Sequence, residues 1–174
     1  MFHLNGNKLH SMKEELSIPN VYGLVYKHGS NKTQILLQER WKPQSDKQNS
    51  GKIELPGGKL RAFEAVTDCL TREVQEETGI KLTRILDKSF RFDISSKDAV
   101  LTVYPTIVSQ YVVGPYPSLL LVISCEGEGT PKSFGDGTKN AKWWNVTEAL
   151  ATASSNPDLI TPLTLGVFRS QLTV

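Results

Sequence analysis

Short apolar runs, broken by polar turn residues, dominate the chain from Val21 onward. "VYGLVYK" and "QILLQER" are rich in Val, Ile, Leu and Tyr and are joined by "HGSNKT", which predicts two strands paired as a hairpin. "WKPQSDKQNSG" predicts a polar loop, "KIEL" a further strand, and "PGG" its end. Beyond a helical stretch, "FRFDI", "VLTVYPTIVSQYVV", "SLLLVISC" and "AKWWNV" predict more strands, with turns at "SSKD", "GPYP" and "EGEGTPKSFGDGTKN". Thr147 is the expected cap of a short helix through Ala151, and Thr161 followed by Pro162 opens a closing helix, "PLTLGVFRSQL". Residues 1–19 show no sustained period and read as an N-terminal arm; residues 20–174 read as a single domain. There is no internal repeat, and the pattern predicts an α+β fold, a mixed β-sheet flanked by helices.

The helical stretch, Ala65 to Thr78, carries the chemistry. On a wheel of about 100° per residue, Val66, Cys69, Leu70 and Val74 form an apolar stripe, while Asp68, Thr71, Gln75 and Thr78 fall on the solvent side. Glu73 and Glu77 lie within the stripe and Glu76 at its border, all in the last turns, where the helix dipole disfavours carboxylates. Arg72 pairs with Glu76 at i, i+4, but one guanidinium cannot neutralise three acids. A hard divalent cation with oxygen ligands, Mg²⁺ or Mn²⁺, resolves the surplus. Gly79 is the expected left-handed cap, with Ile80 folding back onto Val74. Gly57 and Gly58 let the backbone approach an ion closely and leave a carbonyl free to ligate it.

Length and charge narrow the class. With 174 residues, 39% hydrophobic and 22% charged, the chain suits one core, and a net charge of +2 gives no bulk attraction to nucleic acid. No run is apolar and long enough to span a bilayer, and two cysteines, Cys69 and Cys125, suit buried thiols in the cytoplasm. His3, His10 and His28 show no ligand spacing.

Gly58, five residues, Glu64, seven residues, then Arg72-Glu73, Val74, Gln75, Glu76-Glu77, Thr78, Gly79 and Ile80 resemble the Nudix box at every defined position. The resemblance implies the Nudix fold, an α/β/α sandwich around a mixed sheet. It implies a hydrolase that cleaves a phosphoanhydride in a nucleoside diphosphate linked to another moiety, using Mg²⁺ or Mn²⁺. Glu73 and Glu77 would be the main metal ligands, Glu76 a further ligand or water contact, and the Gly58 carbonyl another. Arg72 would orient the glutamates, and Glu64 would support the helix start or reach a second metal. The partner is then a small nucleotide-type molecule, with no membrane or nucleic acid, and the protein a monomer or homodimer. A nucleotide-sensing module without turnover and a diphosphate isomerase are the other readings such a box admits.

The resemblance implies a general base that is either Glu73 or an acid of a later loop, with Asp136 placed ahead of Glu126 and Glu128. Arg40 and Lys59 are candidate phosphate contacts, and Lys52 reads as solvated. Trp143, Trp144, Tyr104 and Phe134 read as core aromatics. Two positions depart from the family pattern: Phe63 stands where many members have Gly, and Ile53 where an aromatic is common. The chain also lacks the downstream signature of NADH-cleaving members and the proline spacing of many ADP-ribose hydrolases.

Overall fold

Strands β1 (Ile18–Lys27) and β2 (Gln34–Arg40) form the expected antiparallel hairpin, with Tyr26 opposite Ile35. The computed structural model describes residues 15–172. Of the N-terminal arm, residues 1–14 lie outside the described residues, whereas Ile18 and Pro19 already belong to β1. After the loop come β3 (Ile53–Glu54), β4 (Gly57–Lys59), α1 (Val66–Thr78), β5 (Lys81–Ile85), β6 (Ser89–Asp93), β7 (Ala99–Val103) and β8 (Ile107–Gln110). Then follow β9 (Ser118–Glu128), β10 (Phe134–Gly135), β11 (Thr138–Asn145), α2 (Val146–Ser155) and α3 (Pro162–Leu172).

The main sheet runs β10-β11-β2-β1-β9-β5, with β3 added to β2, β4 to β1 and β8 to β9. Its centre is the parallel pair β1–β9, in register from Ile18↔Ser118 to Lys27↔Gly127; the other strand pairs described are antiparallel. Central strands bury both faces, which is why β1 and β9 read as continuous apolar runs. Val21, Val25, Leu36, Ile123 and Cys125 pack against Cys69, Leu70 and Val74 of α1. Leu24, Ile35, Leu37, Leu120 and Val122 pack against Ala149 and Ala153 of α2 and Val167 and Phe168 of α3. Each large side chain so buried stabilises the sandwich by roughly 1.5–3 kcal/mol.

Several elements differ from expectation. "PGG" does not end the sheet: Gly57–Lys59 pairs with Asn20–Tyr22, because two adjacent glycines let the chain press against β1, and a Cβ on Gly57 would overlap Tyr22. The run "VLTVYPTIVSQYVV" is two strands, broken where Pro105 lacks an amide hydrogen; β7 joins β6 and β8 joins β9. β5 carries a strand the sequence pattern did not reveal, and part of the expected final turn is β10 and the start of β11. The cap of α2 is Asn145, whose Oδ1 accepts the Thr147 amide at 2.9 Å, and the helix continues to Ser155. Thr78, placed on the solvent side by the wheel, is fully buried: its hydroxyl donates to the Val74 carbonyl and accepts the Ile80 amide as the chain turns back. Gly79 caps α1 at φ 73°, as expected. Tyr104 and Phe134 are exposed rather than core, while Trp143 and Trp144 pack on opposite core clusters.

Candidate active site

The last two turns of α1 face the strip where β4 pairs with β1, and there the inward acids meet the glycines. Glu77 is only 6% exposed, and its Oε2 accepts the Gln38 side-chain amide at 2.7 Å and the Gly57 backbone amide at 2.9 Å. No described residue is bonded to its Oε1, which leaves that oxygen for a ligand in the cavity that Glu77 lines. Burial pushes the Glu77 carboxyl up to about 8, reinforced by the neighbouring Glu54 charge. Glu73, one turn earlier, lies so close to Gly58 that a Cβ there would overlap its carboxylate. Glycine at this position therefore sets the distance between helix and strand.

Arg72 is the counter-charge. Its Nε meets Glu64 Oε1 at 2.8 Å, its second amine meets Glu64 Oε2 at 3.0 Å, and its first amine reaches Glu73 Oε1 at 2.5 Å and Glu76 Oε2 at 3.4 Å. The fork on Glu64 holds that carboxyl down to about 2, helped by the Arg61 amide. Glu64 is thus saturated as an acceptor behind the helix and is absent from the cavity wall, and Glu76, 44% exposed, also stands outside it.

The cavity, about 480 Å³, is lined by Gly57, Gly58, Lys59, Glu73, Glu77 and Asp136 at one end. Arg40, Lys42, Asp46, Tyr22 and Tyr116 line it further along, with Asn20 and Ser118. Of the three loop acids, Asp136 alone lies in this wall; Glu126 belongs to β9 and pairs with His28 at 3.1 Å and Arg84 at 3.0 Å, and Glu128 ends β9. Asp136 is held in place because its loop caps the open carbonyls of α1: the Lys132 amide donates to the Thr78 carbonyl, and the Thr138 hydroxyl donates to that of Glu77. Lys59 is exposed and free to meet a phosphate, whereas Lys52 is outside the cavity wall. Arg40 is committed: its Nε donates to Asp46 at 2.7 Å and an amine reaches Glu54 at 3.4 Å.

Glu54 was not anticipated. It is 3% exposed, and burial pushes its carboxyl up to about 7 although Arg40 opposes the rise. It stands directly opposite Gln38 in the β2–β3 ladder, so two polar residues occupy inward strand positions behind Glu77. A polar residue on the inward phase of an apolar strand is the signal that could have found both. Asn20, Asp46, Tyr116 and Ser118 had no such signal, because β1, the polar loop and β9 meet only through the long-range pairing.

The donor set suits a hard divalent cation. It offers carboxylate oxygens on Glu73 and Glu77, an adjacent glycine carbonyl, and a buried acid whose remaining oxygen lacks a partner. Among the described residues no three acidic, His or Cys side chains close on one point, so the protein would supply two carboxylates and leave other positions to water or substrate.

The NUDIX domain profile matches residues 19–163. The chain belongs to the NUDIX family. Its fold is similar to the solution structure of the E. coli ORF135 protein (20% identity, 91% of each chain, TM-score 0.54). It is also similar to the MutT protein of Methanosarcina mazei Go1 (19% identity, 93% of this chain and 99% of that one, TM-score 0.55). A structure from work on MutT of Aliivibrio salmonicida and Vibrio cholerae aligns with 17% identity over 90% of this chain and 97% of that one, TM-score 0.54. At these identities the likeness concerns the fold alone. No curated protein matches the sequence. As a NUDIX protein the chain is a hydrolase acting on pyrophosphate bonds, and no helix among the described residues is long and apolar enough to cross a membrane.

Proposed function

We propose that this NUDIX protein is a metal-dependent pyrophosphohydrolase that cleaves the phosphoanhydride of a nucleoside diphosphate linked to another moiety, with Mg²⁺ or Mn²⁺. The observation that carries the proposal is the meeting of Glu73, Glu77 and Gly58 with Lys59 and Asp136 in one cavity. Glu73, Glu77 and a carbonyl of the Gly57-Gly58 pair would hold the cation; the β1–β4 register turns the Gly58 backbone toward Val21 and that of Gly57 toward Glu77. When bound, it neutralises the diphosphate and lowers the pKa of the attacking water.

The chain's own groups do the rest. Arg72 fixes the Glu73 carboxylate and offsets the charge of Glu76. Lys59 takes an unbridged phosphate oxygen, and Asp136 accepts the proton of the incoming water. Arg40 acts on substrate through the loop it anchors at Asp46, more than through a free guanidinium. Glu76 is left to contact water at the rim, and Glu64 to hold Arg72. The free, buried thiols of Cys69 and Cys125 suit the cytoplasm.

The test is turnover of nucleoside triphosphates, ADP-ribose, dinucleoside polyphosphates and nucleotide sugars with Mg²⁺ or Mn²⁺. The parent is expected to cleave at a phosphoanhydride, and Glu73→Gln to lose roughly a hundredfold or more. A parent inert across the whole panel refutes the proposal in favour of a sensing role.

A further inference from the structure

β6 and β7 form a two-stranded sheet of their own, joined to no other strand among the described residues. Their pairing sets which groups face outward. The Ile94 amide donates to the Asp98 carbonyl at 2.8 Å and the Tyr104 amide to the Lys88 carbonyl at 2.9 Å, so even-numbered residues of β6 turn their backbone toward β7. The amides and carbonyls of Ser89, Arg91 and Asp93 therefore face the open edge of β6. Phe90, Phe92, Val100 and, just beyond the strands, Ile94 and Tyr104 are 49% to 68% exposed. A lone hairpin is marginal in water, and an open edge with apolar side chains is a template for another strand.

The sequence around that edge is self-complementary. Counting outward from Phe92 in "FRFDI", Arg91 answers Asp93 and Phe90 answers Ile94. We propose that β6 pairs antiparallel with β6 of a second copy of this chain, about a two-fold axis at Phe92. Arg91 then lies directly opposite Asp93 of the second copy, twice by symmetry, and these are the residues whose backbone groups are free to exchange hydrogen bonds. Phe92 meets Phe92 in a non-hydrogen-bonded pair, where side chains approach most closely, and Phe90 meets Ile94.

Charge selects this register. A shift of two residues one way sets Arg91 against Arg91, and a shift the other way sets Asp93 against Asp93; both oppose like charges across the ladder. Both side chains are accessible, at 69% and 71% exposure, and bonded to each other at 3.1 Å within one chain. The outer edge of β7 offers no such code: Ala99, Leu101 and Val103 are uncharged, and the next outward position is Pro105, without an amide hydrogen. None of the hairpin residues lines the catalytic cavity.

The experiment is molar mass by light scattering and sedimentation over a wide concentration series. The parent is expected at twice 19.3 kDa. Arg91→Asp alone and Asp93→Arg alone are expected to raise the dissociation constant roughly tenfold or more. The exchange carrying both substitutions keeps the pair within each chain and restores the dimer. Phe92→Cys should form a disulfide-linked dimer on oxidation, because identical residues at a non-hydrogen-bonded pair lie about 4.5 Å apart at Cα, within disulfide reach. Phe90→Cys, whose symmetry mate is four positions out of register, should not. A parent that stays at 19.3 kDa, a double exchange that stays monomeric, or equal cross-linking by Phe90→Cys overturns the proposal.

Discussion

Replacing Glu77 by Gln should stabilise the metal-free protein. The carbonyl of the new side-chain amide would still accept from Gln38 and Gly57, as Glu77 Oε2 does at 2.7 and 2.9 Å, so shape and hydrogen bonds persist and only the charge is lost. The Glu77 carboxyl rises from 4.5 to about 8, chiefly by burial and then by the Glu54 charge. Between those values the folded chain holds a proton that the unfolded chain has released, so stability falls as pH climbs through that window. Below pH 4.5 the two states match and no penalty is present. Above pH 8 the ceiling on the penalty is roughly 5 kcal/mol, at about 1.4 kcal/mol per tenfold change, and side-chain relaxation and water entry bring the observable to roughly 2 kcal/mol. For a domain of this size that is a rise of about 4–8 °C in melting temperature. Calorimetry in EDTA at pH 8 should show the variant above the parent, with the gap closing toward pH 5. With Mg²⁺ or Mn²⁺ added, the parent should gain and the variant should not. A Glu77→Gln protein that melts below the parent in EDTA at pH 8 refutes the reasoning.

Gly58→Ala should cost turnover: the atoms nearest the new methyl are those of the Glu73 carboxylate, so that acid must move off its position and kcat should drop at least roughly tenfold; a normal kcat counts against the assigned ligand. Phe63 holds φ 61° with its side chain fully exposed, a conformation costing a bulky residue about 1–2 kcal/mol, so Phe63→Gly should raise the unfolding free energy by up to about 1 kcal/mol and the denaturation midpoint with it. A lower midpoint would mean the ring has a partner in solution. Arg40→Ala leaves Glu54 and Asp46 without their cation and should cost about 3 kcal/mol in urea denaturation, with Arg40→Lys recovering little because an ammonium cannot serve both acids.

The acidic helix was legible because its evidence is local. Period, dipole and the Gly79 stop all lie within one stretch, and the structure turns Glu73 and Glu77 toward Gly58 as the wheel requires. Elements whose form depends on distant partners were not. Lys81–Ile85 becomes a strand because β9 offers it an edge, and Pro105 divides one apolar run because its halves have different partners. Thr78 defeats the wheel for a similar reason, since the chain returns over it after Gly79. Phe63 departs from the family's usual glycine yet keeps the backbone a glycine would adopt, so the substitution is visible in sequence and its cost only in φ.

The parallel pair at the middle of the sheet also decides when the molecule can be finished. Strands in register from Ile18↔Ser118 to Lys27↔Gly127 lie far apart in sequence, so the centre of the sheet, like the β2–β11 pair beside it, is closed by long-range contacts. A chain leaving the ribosome with its N-terminus first presents β1, β2, β4 and the whole acidic helix long before β9 is available to pair with β1. The acidic half of the catalytic wall is therefore synthesised early and is completed late, when Tyr116, Ser118 and Asp136 arrive, and slow folding is the expected companion of this architecture.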